Sequence, residues 1–219
     1  DPSKKYPMIV YYYGGTTPLT RSLETVYNLP MFAAQGYVAF SLNPRGTTGY
    51  GQAFAADHLN AWGTKTADDI IGAVKDFVAK HPFVDGKKIG CTGASYGGFM
   101  TQYLQTKTDL FAAAVSHAGI SSISSYWAGG FWGLGYSSVA SAGSYPWNNP
   151  ELYTKHSPLF NADKIHTPLL LLHGTADVNV PPSESTALYN ALKILGRTVE
   201  LVEVTGEDHH IVESERQER

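Results

Sequence analysis

"IGCTGASYGGFM", Ile89–Met100, runs an apolar, strand-like segment directly into a helix-like one and places a single serine, Ser95, at the joint. Gly93, Ser95 and Gly97 fit the G-x-S-x-G pattern of a nucleophile elbow, the tight strand-to-helix turn that exposes a serine hydroxyl at the top of a sheet, and Gly98 adds another glycine behind it. Glycine suits these flanks because the turn leaves no room for side chains beside the serine. The pattern alone is cheap in a glycine-rich chain. Its meaning depends on whether the remaining sequence supplies a base, an orienting acid and donors for negative charge.

Outward from the elbow, strand-like and helix-like segments alternate, with Gly and Pro at the joints. "MIVYYY" (8–13), "YVAFSLN" (37–43), "KKIGCTG" (87–93), "AAAVSHAG" (112–119), "PLLLLHG" (168–174) and the period-two "TVELVEV" (198–204) read as strands. Between them "LPMFAAQG" reads as a short helix closed by Gly36, and "GGFMTQYLQTK" and "PSESTALYNALKILG" as longer ones, the last ended by Gly196. "TADDIIGAVKDFVAKHP" predicts an amphipathic helix with Thr66 as N-cap, Asp68 and Asp69 in the first turn, and Pro82 past its end. The alternation predicts a mostly parallel α/β sheet with crossover helices on both faces. Residues 118–160 break the rhythm. Rich in Gly, Ser, Trp and Tyr ("ISSISSYWAGGFWGLGYSS"), they are too long for an ordinary connection and are expected to form a cap or pocket wall.

At 219 residues and 43% hydrophobic, the chain is expected to form one domain with one sizeable core. A net charge of −3 without Lys/Arg clusters provides no field for a phosphate backbone, which argues against nucleic-acid binding. The lone cysteine, Cys91, excludes an internal disulfide framework and a Cys-rich metal site, and reads as a small buried hydrophobe. No apolar run approaches membrane-spanning length. The low charged fraction, 16%, with 22 Gly and 14 Tyr, suggests that part of the surface is covered by something else.

A serine hydroxyl needs an imidazole to take its proton and a carboxylate to fix the imidazole's tautomer. In α/β-hydrolases these follow the serine in the order acid, then histidine. Asp177 lies in "TADVNVP", just past the carboxyl end of the strand "LLLLHG", where open α/β sheets carry functional groups. The loop after the last strand, "TGEDHHI", supplies His209 and His210, one of which is the base. For the oxyanion, the Tyr96 backbone N–H is one donor; the Tyr13-Gly14-Gly15 stretch offers a second, through the tyrosine hydroxyl or the glycine N–H groups.

With these residues in place the chain resembles the prolyl oligopeptidase family of serine peptidases, in particular its dipeptidyl-peptidase and acylaminoacyl-peptidase-like members. The resemblance runs nearly end to end, through "YPMIVYYYGG", "NPRGTTGYG", "GASYGGFM", "HGTADVNVP" and "GEDHHI" in the family's order. It implies an α/β-hydrolase catalytic domain, with Ser95, Asp177 and His209 as the triad and His209 preferred because it follows the matching "ED". It further implies Tyr13 as a side-chain oxyanion donor beside the Tyr96 N–H. Tyr126 and Val180 are implied to wall the pocket for the residue before the scissile bond, and Asn179 to hold a substrate carbonyl. The segment "AGGFWGLGY" departs from the dipeptidyl-peptidase pattern, with Phe131 and Trp132 as substitute aromatic walls. Also implied are short peptide substrates, an N-terminal β-propeller in the full protein and an extracytoplasmic setting. The triad chemistry calls for no cofactor or metal, self-association is left open, and the nearness of both ends to central elements leads to the expectation that the native chain continues on both sides of 1–219.

Blander readings stand beside these. Asp177 can be an Asx-turn residue, and Asp163 or Asp208 a rival acid, though neither follows a strand as Asp177 does. His117 and His173, each at a strand end, read as structural histidines with satisfied ring nitrogens, and His210 as a packed neighbour. Arg45 is either a contact for a substrate carboxylate or an anchor for its glycine-rich loop, the anchor being preferred. The alternatives to a peptidase are a carboxylesterase or lipase-like hydrolase using the same triad, and a catalytically inactive binding module.

Overall fold

A computed structural model of the chain describes residues 4–13, 15–19, 27–132, 135 and 140–212. Gly14, one of the glycines offered as an oxyanion donor, lies outside the described residues, as does part of the 118–160 segment. Six strands form one sheet: β1 (Tyr6–Tyr11), β2 (Val38–Ser41), β3 (Val84–Ala94), β4 (Ala113–His117), β5 (Leu169–Gly174) and β6 (Val199–Val204). Their order is β2-β1-β3-β4-β5-β6 and every pairing is parallel, as the alternating pattern predicts. The described helices are α1 (Leu29–Ala34), α2 (Gln52–Ala56), α3 (Thr64–Lys80), α4 (Tyr96–Gln105), α5 (Ile123–Gly129), α6 (Pro150–Lys155) and α7 (Ser183–Ile194). None is long and apolar enough to cross a membrane.

Strand register explains where the core sits. Val10, Cys91, Ala114 and Leu169 lie in one row across four strands, and Gly93, Ser116 and Leu171 in the next. The side chains of both rows are almost fully buried. The α4 helix lies on this face: Gln105 Nε2 donates to Cys91 Sγ at 3.4 Å and Gln102 Nε2 to Ser116 Oγ at 3.0 Å. All ten residues of α4 are buried, so its polar groups need internal partners, and Tyr12 Oη with Thr101 Oγ1 at 2.7 Å is one such pair. The opposite face, through Ile9, Val115 and Leu170, is only half-buried.

Winding runs from β1 outward to β2, then returns across β1 to β3 and onward to β6. Right-handed crossovers place α1 on one face and α3, α4 and α7 on the other. The winding reverses between β1 and β3, and a crevice forms at the carboxyl ends of strands on such a reversal. Ser95 lies at that end of β3, and Gly15 follows β1.

Two local expectations need correction. The long helix begins at Thr64, not after Thr66, because Gly63 takes the left-handed capping conformation at φ +80°. A Cβ at Gly63 would lie 2.8 Å from the Tyr103 ring, so glycine is required there on both counts. Thr66 Oγ1 donates to the Arg45 carbonyl instead of capping, and Asp69 faces Arg45 rather than serving the helix start. Arg45 is an anchor: its Nη2 donates to Asp69 Oδ1 at 2.7 Å and its backbone N–H to Asp69 Oδ2 at 2.9 Å.

Candidate active site

Ser95 joins β3 to α4 at φ +58° and ψ −118°, a conformation that costs a non-glycine residue energy and persists only where surrounding contacts enforce it. Those contacts are visible. The Ser95 N–H donates to the His117 carbonyl at 2.9 Å, and the Phe99 N–H donates to the Ser95 carbonyl at 2.9 Å. A Cβ at Gly93 would meet the Gly97 carbonyl at 2.7 Å, one at Gly97 would strike the Tyr13 carbonyl, and one at Gly98 would meet the His117 carbonyl at 2.5 Å. Three glycines thus let three backbones close around the serine. Tyr96, the first residue of α4, keeps its N–H outside the helix's own hydrogen-bond ladder.

The acid and the histidine meet because the loops after β5 and β6 are laced together. The Thr175 N–H donates to the Val204 carbonyl at 3.0 Å, the Ala176 N–H to the Glu207 carbonyl at 2.9 Å, and the Val178 N–H to Asp208 Oδ1 at 3.1 Å. Gly174 has no space for a Cβ against the 207–208 backbone. Across this seam His209 Nδ1 lies 2.7 Å from Asp177 Oδ2. The other carboxylate oxygen, Oδ1, accepts the N–H groups of Asn179 and Val180, each at 2.9 Å. Burial alone would raise the Asp177 carboxyl, but hydrogen bonds from His173, His209 and the Val180 N–H outweigh it and hold the group well below the ordinary carboxylate range. An ionised acceptor fixes the proton of neutral His209 on Nδ1 and leaves Nε2 with a free lone pair.

A cavity of about 230 Å³ is lined by Gly15, Ser95, Tyr96, Ile120, Tyr126, Trp132, Asn179, Val180 and His209. It gathers most of the expected residues: the serine, the residue after it, the histidine, and Tyr126, Asn179 and Val180. Asp177 lies behind His209, 5% exposed. The serine hydroxyl makes no hydrogen bond to the His209 ring among the described residues, although both line the same space. Tyr126, on α5, packs against Trp62 at 6.1 Å between ring centroids, and burial pushes its phenol up to about 12.

Tyr13 is placed differently from expectation. Its ring stacks on that of Tyr96 at 5.8 Å and is 2% exposed, and its hydroxyl turns toward Gly46, near Thr47 and Thr66, without completing a hydrogen bond among the described residues. The Tyr13 carbonyl fills the space beside Gly97, so the side chain is held behind the elbow and Gly15 reaches the cavity instead. Of the rival acids, Asp208 clasps the N–H groups of Val178 and His209, and Asp163 offers its backbone carbonyl to Arg197. His210 is exposed and meets His209 edge-on at 5.4 Å.

Trp132 lines the cavity as an aromatic wall, while Phe131 does not. Ile120, which the sequence reading missed, follows β4 at the carboxyl end of the sheet, the position that could have flagged it. His117 also departs from expectation: its Nδ1 meets Tyr27 Oη at 3.0 Å, but its buried Nε2 has no hydrogen-bond partner among the described residues. Burial, reinforced by the neighbouring histidines, pushes its pKa down to about 4, so the ring is neutral near neutral pH.

The sequence matches a model of the prolyl oligopeptidase family over residues 23–219. It is 35% identical over 208 residues to an uncharacterized peptidase, YuxL, of Bacillus subtilis, covering 94% of this chain and 31% of that protein. It is 33% identical over 218 residues to dipeptidyl-peptidase 5 of Schizosaccharomyces pombe, covering 97% of this chain and 31% of that one. Its structure superposes on the uncomplexed Pyrococcus horikoshii acylaminoacyl peptidase with a TM-score of 0.87 at 35% identity, over 94% of this chain and 34% of that one. The chain therefore spans about a third of the length of the relatives it matches.

Proposed function

Because the chain belongs to the prolyl oligopeptidase family, we propose that it carries out serine-type hydrolysis of short peptides through an acyl-enzyme, with Ser95, His209 and Asp177 as the triad. The observation that carries this reading is the 2.7 Å contact of His209 Nδ1 with Asp177 Oδ2 at the edge of a cavity that Ser95 also lines. Ser95 Oγ attacks the scissile carbonyl carbon as its proton passes to His209 Nε2, and Asp177 stabilises the imidazolium so formed. The C–N bond then breaks while Nε2 returns the proton to the departing amine. Water, deprotonated by the same nitrogen, attacks the acyl ester, and loss of the carboxylate product restores Ser95. Hydrogen bonds between nucleophile and base are commonly long before substrate binds, so the open Ser95–His209 contact is compatible with this role.

The oxyanion is assigned to the Tyr96 N–H, with the backbone at Gly15 replacing the Tyr13 hydroxyl as second donor, since Gly15 lines the cavity and Tyr13 does not. Tyr126 and Val180, with Trp132, form the wall for the side chain preceding the scissile bond, and the Asn179 amide serves a substrate carbonyl. The 118–160 segment acts as a pocket wall through Tyr126 and Trp132. The test is covalent labelling by a fluorophosphonate together with turnover of peptide anilides and simple esters. Labelling and anilide hydrolysis that both disappear in Ser95→Ala support the peptidase; turnover of esters alone points to an esterase, and an unlabelled native protein overturns the reading.

A further inference from the structure

His173, the penultimate residue of β5, is fully buried and has no part in the relay just described. Its ring bridges two elements: Nδ1 lies 2.7 Å from Ser185 Oγ on α7, and Nε2 lies 2.9 Å from the Val180 carbonyl oxygen and 3.2 Å from Asp177 Oδ2. A carbonyl only accepts, so Nε2 bears the proton, and in a neutral ring Nδ1 then accepts the Ser185 hydroxyl. Val180 and Ser185 would by themselves satisfy both ring nitrogens. The approach to Asp177 is therefore additional, and it falls on the same oxygen, Oδ2, that faces His209.

We propose that His173 is a positioning residue for the acid of the triad, holding Asp177 Oδ2 in line with His209 Nδ1 and drawing off part of the negative charge that the base feels. This rests on the assignment of Ser95, Asp177 and His209 as the catalytic set. Apart from His209 itself, His173 is the group that approaches Oδ2 among the described residues, because the backbone N–H groups of Asn179 and Val180 both bind Oδ1. Without the His173 donor the carboxylate is freer to turn about its terminal torsion, which lowers the fraction of correctly oriented imidazole. It also leaves more of its charge facing His209, which favours the protonated ring. Among the described residues, the titratable groups around His209 are Asp177 and His173 from β5 and its following loop, His117 from the end of β4, Tyr126 from α5 across the cavity, and Asp208 and His210 in its own loop.

The experiment compares His173→Gln, whose amide nitrogen reaches roughly the place of Nε2, with His173→Asn, which is too short to meet Asp177, in the whole protein with a peptide anilide. Expected for His173→Asn is a fall in kcat of roughly tenfold or more, the scale typical of lost outer-sphere orientation, with KM unchanged and the acid limb of kcat/KM moved to higher pH. His173→Gln should stay within about threefold of the wild type in kcat and keep its pH profile. Wild-type kcat and pH profile in His173→Asn would overturn the proposal, as would equal losses in both variants that track their melting temperatures, or a loss expressed in KM. A wild-type protein that neither labels with a fluorophosphonate nor turns over substrate sinks the catalytic assignment and this inference together; an active wild type with an indifferent His173→Asn sinks the inference alone.

Discussion

Glu184 is a sensitive point for testing how the pocket wall is held. It lies at the start of α7, 2% exposed, and its Oε2 accepts the backbone N–H groups of Ser121 at 2.9 Å and Ser122 at 2.8 Å. These residues lead into α5, which carries Tyr126 into the cavity. Two hydroxyls also meet the carboxylate, from Ser121 and Ser125, but each has another acceptor: the Glu184 carbonyl at 2.7 Å for Ser121 and the Ser122 carbonyl at 3.1 Å for Ser125. In Glu184→Ala the hydroxyls therefore stay satisfied while two buried N–H groups lose their acceptor. At about 1–3 kcal/mol for each unsatisfied buried group the loss is about 2–6 kcal/mol, and entry of water into the vacated space favours about 3 kcal/mol. Glu184→Gln keeps an amide oxygen for both N–H groups and should cost only about 1 kcal/mol. Urea unfolding at neutral pH reads the difference, and for a domain of this size about 3 kcal/mol is also about 6–12 °C in Tm. If Glu184→Ala lost less than about 1 kcal/mol, or Glu184→Gln lost as much as Ala, the clamp argument would be wrong.

Two further outcomes are expected. Gly97→Ala forces a Cβ into the Tyr13 carbonyl, a backbone atom with no room to yield, and should destabilise the protein by about 1–3 kcal/mol or more while abolishing hydrolysis, read by urea unfolding and anilide turnover; an active, stable variant would contradict the elbow packing. Asp177 has a folded-state pKa below its unfolded one, so its contribution to stability is complete above the ordinary carboxylate range and is lost as pH falls below it; between about pH 5 and pH 3 the melting temperature of Asp177→Asn should therefore fall less steeply than that of the wild type, and parallel curves would refute the shift.

Much of the fold was legible because its signals are local. Parallel, buried strands announce themselves as short apolar runs between glycines, and "LLLLHG" and "KKIGCTG" fall inside β5 and β3. The elbow was legible because the G-x-S-x-G spacing is itself local, although of its glycines only Gly93 answers a contact within a few residues of Ser95, while Gly97 and Gly98 make room for the distant Tyr13 and His117 carbonyls. Boundaries were less so. Thr66 has the chemistry of a cap, yet Arg45, distant in sequence, takes its hydroxyl, and the helix start moves to a glycine whose conformation no neighbouring residue advertises.

By itself the sequence determined the strand and helix alternation, the turn at Ser95 and the order in which serine, acid and histidine follow one another, because each is written in spacing along the chain. Tertiary structure decided which ring of the His209–His210 pair reaches Asp177, that Tyr13 lies behind the elbow with Gly15 at the cavity, and that His173 approaches the acid oxygen that faces His209. These are contacts between loops at the ends of different strands. Their partners are set by sheet register and by the lacing of the 174–178 and 204–208 backbones, quantities that no stretch of sequence contains alone.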